Sequence, residues 1–390
     1  MVSISALKNR NVLVFGTGLD SVKCAYKLHN EGIFIKGFLN NDKMLDMFMG
    51  CPVYEPDRVH MLRNVYVIVA VAAESVYLTV SKQLVELQLT EFSDYIYYKW
   101  IDKKLVLLHG NCHMTVIKDY LESSRTFVSR YAIYPNPLIQ NNKNGRIDKN
   151  VLTNCAVWIH EDIQKDNVCG YYLSDEYIRE QWQDPINNNI EKDRKEIIIP
   201  HLFGMGKAFF PQSDWNERNE KIHNAQDING MFPHADLVID RCVDKGIAVD
   251  DIIAFCKSEA ALDEKEIVQN FENYMNKIKD REKSWDVKIY DFIQQNYQKT
   301  KLFYDEGHPT NIILEKVSKD ILLKLNIMDK VSTNIKLDTH ENPVYPAVRN
   351  CLHMKWDEHK IRKGRLAKKM SDQMDFEEYI REYLWWNYRI

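Results

Sequence analysis

Cys112 stands where an apolar run, Leu105 to Leu108, gives way to His109, Gly110 and Asn111, and where helix-like apolar spacing then begins at Met114, Ile117 and Leu121. A thiol at a strand-to-helix turn lies at the positive end of the helix dipole, which favours the thiolate. The turn also supplies amide N–H groups suited to a developing oxyanion, with Gly110 and Asn111 the residues expected beside it. Far along the chain, "KLFYDEGHPTNIILEKV" places Asp305 and His308 three residues apart, with Pro309 restricting the backbone after the histidine. A histidine oriented by a carboxylate is the usual general base beside a Ser or Cys nucleophile. The pattern predicts that Cys112, Asp305 and His308 converge. The bland alternatives are a buried structural cysteine and an ordinary Asp-His turn.

A third block, "HLFGMGKAFFPQ" (201–212), combines His201, Gly204, Gly206 and the cation Lys207 with two phenylalanines. Such a lining suits a phosphate-bearing ligand with an apolar arm, and the alternative is a packed turn with an exposed lysine. His109 and His113 flank Cys112 in an H-x-x-C-H pattern. We expect no metal there, because catalytic zinc draws its ligands from better separated elements and no C-x-x-C pair supports it. Near the N-terminus, Gly16, Gly18, Ser21 and Asp42 follow a dinucleotide-type pattern in which Ser replaces the third glycine. That weaker pattern is read as a nucleotide-binding turn or a scaffold turn.

These residues need elements to hold them. The runs "NVLVFG", "IFIKGF", "VYVIVAVA" and "DYIYY" read as strands alternating with helices, half of a Rossmann-type parallel sheet. A second α/β alternation begins near Lys103, with later strands expected at "AVWIH" (156–160), "EIIIP" (196–200) and "KLFYD" (301–305). Helices are expected in "KEIVQNFENYMNKIKDREKSW" and "NIILEKVSKDILLKL". The expected domains are 1–102, Rossmann-like; 103–330, catalytic; and 331–390, a helical extension that is basic at "KIRKGRLAKK" (360–369) and aromatic at "FEEYIREYLWWNYRI". Phe376, Tyr379, Ile380, Tyr383 and Leu384 recur at helical spacing and suit docking on the protein or a second subunit. The basic run reads as a solvated face or a contact with a glycan or membrane surface.

The 390 residues carry a net charge of −4, with 45% hydrophobic and 28% charged residues, the profile of a folded protein without global attraction to nucleic acid. No apolar run reaches the roughly 18 residues needed to cross a bilayer, and no signal-peptide order opens the sequence, so a cytoplasmic location is expected. The eight cysteines are scattered and are expected to be reduced.

The G-N-C turn, the late D-x-x-H-P, and the blocks "IIIPHLFGMGKAFFPQ" (197–212) and "FPHADLVIDRCVDKGIAVDDIIAF" (232–255) together resemble the WcbI-type polysaccharide biosynthesis proteins. The resemblance covers roughly 103–330. It implies an SGNH-hydrolase-like fold, coenzyme A or acetyl-CoA as cofactor, and acetyl transfer to a sugar in capsular polysaccharide synthesis. Cys112 then takes the place of the SGNH serine, Asp305 and His308 match the late acid–histidine block, and Lys207, Gly204, Gly206, His201 and His113 become the cofactor contacts. "IHED" (159–162) is the nearest candidate for a pocket wall. The implied acceptor is a sugar, a nucleotide sugar or a lipid-linked glycan, and a homo-oligomer is compatible. Two other functions fit the same residues: an esterase or deacetylase, and a non-catalytic protein that binds sugar nucleotides.

Overall fold

β-branched runs buried on both faces and amphipathic helices alternate through the first half of this mixed α/β chain, as a parallel sheet covered by helices requires. The computed structural model describes residues 2–42, 44–135, 145–167, 169–182, 194–218, 232–337, 341–356, 361–362 and 373–390. Contacts divide it into two compact units, one of Met1–Gly110 with Ser124–Ile197 and the other of Asn111–Ser123 with Ile198–Ile390.

The first unit begins with β1 (Asn11–Phe15), α1 (Leu19–Asn30), β2 (Ile35–Leu39), β3 (Met47–Phe48), β4 (Cys51–Tyr54), β5 (Val65–Val69), α2 (Glu74–Glu86) and β6 (Tyr95–Tyr97). Its sheet order is β3-β4-β2-β1-β5-β6, parallel throughout except for the β3–β4 edge pair. At the β1–α1 turn Gly16 has φ +113, and a Cβ there would lie 2.8 Å from Ser21 Oγ and 2.9 Å from the Ala70 carbonyl oxygen. Ser21 in turn donates to that carbonyl at 3.0 Å, so this glycine and serine fasten the turn to the end of β5. Gly18 caps α1, whose first turn already carries the carboxylate of Asp20 beside Lys23. Asp42 is exposed, and its amide donates to Asn40 Oδ1 at 3.3 Å. Gly16 and Ser21 thus serve the packing of this turn, and Asp20 adds a carboxylate to the first turn of the helix.

A second sheet, in the order β10-β9-β7-β8, uses β7 (Lys104–His109), β8 (Tyr131–Ile133), β9 (Cys155–Glu161) and β10 (Lys195–Ile199). One apolar cluster draws on both sheets, joining Val12, Val67 and Tyr97 to Leu105, Leu107 and Trp158. That shared core makes the compact units differ from consecutive segments broken near residue 102. Within the "IHED" segment His160 and Glu161 have no exposed surface, while Asp162 is half-buried. His160 meets Asp175 and Glu196, each at 3.1 Å. Burial would lower the His160 pKa, but its bonds to these acids outweigh burial and raise it to about 9.

In the second unit α3 (His113–Ser123) buries Val116, Ile117 and Leu121 and packs on the helix Asn311–Lys324. The helix Glu264–Arg281 starts at Asp263, whose carboxylate accepts from the Lys265 and Glu266 amides, and it buries Ile267, Phe271, Met275 and Ile278. β11 (Ser213–Trp215) pairs antiparallel with β12 (His234–Asp236). The C-terminal helix Phe376–Tyr388 opens with a capping box of Asp375 and Glu378 and docks on this unit through Tyr379, Ile380, Tyr383 and Leu384. The Asp236 amide donates to the Tyr383 hydroxyl at 2.9 Å, and that hydroxyl donates to Asp240 at 2.9 Å. Asp236 itself is buried and its pKa raised to about 7, chiefly by desolvation. Of the basic run, residues 360 and 363–369 lie outside the described residues. Among the described residues no helix is long and apolar enough to cross a membrane.

None of the eight cysteines is joined in a disulfide. Burial pushes the thiols of Cys24 and Cys256 up to about 12 and also raises those of Cys155, Cys242 and Cys351.

Tyr383→Phe keeps the ring packing but strands the buried Asp236 amide and removes a donor from Asp240. The expected cost is about 2 kcal/mol, read as a lower urea midpoint.

Candidate active site

Asp305 organises the candidate site. Its Oδ1 accepts from the amides of Gly307 and His308, both at 2.7 Å, and its Oδ2 accepts from His308 Nδ1 at 2.8 Å. The short spacing does this locally, because an aspartate readily caps the amides two and three residues ahead of it. The expected strand 301–305 is absent. Only Phe303 bridges to Pro309, and the Tyr304 amide donates to the His308 carbonyl at 2.8 Å. The apolar Leu302 and Phe303 are buried in a tight turned-back loop, which gives them the burial that suggested a strand.

With Nδ1 held by Asp305, His308 has Nε2 left for the thiol, and the Cys112 side chain is its second hydrogen-bond partner. Burial would lower the imidazole pKa, yet the bonds and charges of Asp305 and Cys112 outweigh it and raise the value to about 10. The structure therefore brings together the three residues whose types suggested nucleophile, base and orienter. Cys112 precedes α3, with its carbonyl accepting from the Thr115 amide at 3.1 Å and the Asn111 carbonyl accepting from Met114 at 3.0 Å. Gly110 and Asn111 lie in the connection from β7 to α3.

His113 takes a different part from the cofactor contact expected of it. It is fully buried, and its Nε2 meets the Gly307 carbonyl at 3.0 Å, tying α3 to the acid–histidine loop. Gly206 is likewise structural: a Cβ there would lie 2.2 Å from the Asp305 carbonyl oxygen, and its own amide donates to the Glu306 carbonyl at 3.1 Å. Gly204, in the left-handed region at φ +79, starts the 205–208 turn that carries Lys207. Lys207 Nζ lies 3.5 Å from Glu306 and 3.7 Å from Asp214. Burial opposes its charge, but these carboxylates prevail and raise its pKa. The His201 ring lies 6.5 Å from the ring of Phe203. A Cβ on Gly307 would meet the Phe203 ring at 2.7 Å, so this half-exposed aromatic lies directly over the loop.

One further residue joins the acid–histidine loop from a distant part of the chain. His234, on β12, sits 3.2 Å from Glu306 and 3.8 Å from Asp305. Desolvation pushes Glu306 up, but the bond to His234 and the charges of His234 and Lys207 bring it below the usual carboxylate range. The "FPHAD" block contained the only available sequence signal, a histidine beside a turn-forming proline. His109 lies in the first unit, fully buried, with burial lowering its pKa to about 3. Among the described residues no three His, Cys, Asp or Glu side chains gather as metal ligands.

An α/β chain with a Cys–His–Asp constellation thus defines an enzyme-like class, and sequence comparison places it more narrowly. A family model described as the polysaccharide biosynthesis enzyme WcbI matches residues 105–330. The chain belongs to this family. It is similar in fold to a solved structure of WcbI, described as a novel polysaccharide biosynthesis enzyme in native form without a disulfide bond between coenzyme A and one of its cysteines. The likeness has a TM-score of 0.56 at 14% identity and covers 74% of this chain and 91% of that one. No curated protein matches the chain.

The raised pKa of His308 gives a direct measurement. Its ring should stay protonated through neutral pH and lose the proton near pH 10 in an NMR titration. Asp305→Asn retains an oxygen for the two amides but removes the charge, so the transition should fall toward the free imidazole value of about 6.5. An unchanged transition would separate the two groups electrostatically.

Proposed function

We propose that the chain is an acetyl-CoA-dependent O-acetyltransferase acting on a sugar or polysaccharide precursor. The observation that carries this reading is Cys112 hydrogen-bonded to an imidazole that Asp305 holds. Membership of a polysaccharide biosynthesis family and the CoA–cysteine relation named for the solved WcbI support the choice of donor and acceptor class. An SGNH-like catalytic fold, a Rossmann-like N-terminal part and a cytoplasmic role in capsular or surface polysaccharide synthesis complete the proposal.

The Cys112 thiolate attacks the acetyl carbonyl, and the amides opening α3, with Asn111, hold the oxyanion. As the bond from carbon to the donor sulfur breaks, the protonated His308 gives its proton to the departing CoA sulfur. One thioester replaces another, so the acyl group stays activated. Acylation removes the negative charge from Cys112, one of the two supports of the imidazolium, and His308 becomes able to accept a proton. A sugar hydroxyl then attacks the thioester, its proton passes to His308, and Cys112 leaves as thiolate. The starting ion pair is restored.

A groove of about 290 Å³ suits the donor. Phe203, Met205 and Ile278 offer an apolar lining, and Lys277 and Arg281 offer positive charge for phosphates. Asp280, the acid on this wall, is paired with Lys283 at 2.8 Å. Phosphate recognition is therefore assigned to Lys277 and Arg281 in preference to Lys207, whose charge is balanced by Glu306 and Asp214.

Mixing with acetyl-CoA should add one acetyl mass to the wild type and none to Cys112→Ala. Lys277→Ala should weaken CoA binding about fivefold by calorimetry. Full transfer activity in Cys112→Ala would replace the covalent route by direct transfer, and ester hydrolysis without CoA binding would make the chain an esterase.

A further inference from the structure

A second cavity, of about 560 Å³, opens in the same unit between Gln212, the helix Leu237–Asp244 and the helix Glu264–Arg281. Its chemistry is opposite to that of the Phe203 groove. Asp240, Asp244 and Glu266 line it against only Arg218 and Arg241, and Arg218 is already paired with Asp240 at 2.7 Å. The excess of carboxylate disfavours phosphates and other anions. What the wall offers is a close mixture of acceptors and donors with an apolar floor of Leu237, Leu262 and Ile267. Hydroxyl groups can both donate and accept, and the C–H face of a pyranose ring is apolar, so neutral carbohydrate matches this wall.

Gln212 closes one side of the cavity. It is only 2% exposed, and its Nε2 is committed to the Pro343 carbonyl at 2.9 Å. Its Oε1 has no hydrogen-bond partner among the described residues. That oxygen is itself closed to solvent, so Gln212 forms part of the wall, and the donors and acceptors open to a ligand are those of the charged residues around it. Arg241 spends Nε on the Leu237 carbonyl at 3.0 Å, which leaves its terminal amino groups to donate. Asn270, also on the wall, donates to the Lys207 carbonyl at 2.8 Å, and Lys207 Nζ lies 3.5 Å from Glu306, the neighbour of Asp305. A continuous series of contacts therefore runs from the cavity to the acid–histidine loop.

We propose that this cavity is a carbohydrate subsite that takes a neutral segment of the glycan acceptor. The acceptor role rests on the acyl-transfer reading above, whereas binding can be tested without any reaction. Full-length protein is titrated with maltotriose, cellotriose and triacetylchitotriose, followed by saturation-transfer NMR. At least one should bind at roughly millimolar strength or better, and the surface changes Arg241→Ala and Glu266→Ala should each weaken it about fivefold.

No binding by any of the three, or binding that both surface variants leave unchanged, would overturn the subsite. Inorganic phosphate that binds in an Arg241-dependent way would overturn its neutral character. Acetylation of the wild type is measured separately. An acetyl adduct without trisaccharide binding removes the subsite alone, while trisaccharide binding with neither an adduct nor acetyl transfer from acetyl-CoA removes the acyl-transfer reading and leaves the subsite.

Discussion

The Asp305 carboxylate, with no exposed surface, is the group on which the geometry of the candidate site depends. An ionised carboxylate in such a place is tolerable only if its lone pairs meet donors. Here two backbone amides and one ring nitrogen come from just two residues, Gly307 and His308. The same bonds that make burial possible also fix the turn and aim the imidazole. Gly206 passes beneath this turn at a distance no side chain would permit, and His113 fastens it to the helix that begins beside the nucleophile.

Charge balance extends outward from that point. Asp305 and Glu306 lie next to one another in sequence, an arrangement that by itself would repel and raise a carboxyl pKa. His308, His234 and Lys207 surround them, and Glu306 remains in the ionised range as a result. Lys207 belongs to this electrostatic assembly.

Much of the architecture was legible in periodicity: β1, β2, β5, α1, α2 and β7 fall where the apolar runs and turn residues place them. The Asp305–His308 pair was legible because its geometry is local. His234 and the partners of Lys207 were not, since no spacing rule links residues 207, 214, 234 and 306. Burial of Leu302 and Phe303 imitated a strand, although an isolated bridge is all that forms. The division into units was hidden for a similar reason. A core shared by two sheets is a property of packing, and α3 belongs by contact to a different unit from the strand that precedes it in sequence.

The thiols sort themselves by environment. Five of the eight are held in their protonated form by burial to higher pH than a free thiol, and a protonated thiol is a poor nucleophile. Cys112 instead has as its partner an imidazole that keeps its proton to about pH 10. To an oxidant or an electrophile, a cysteine-rich chain therefore presents far fewer reactive sulfurs than its composition suggests. Selectivity arises from withholding ionisation elsewhere as much as from promoting it at one position.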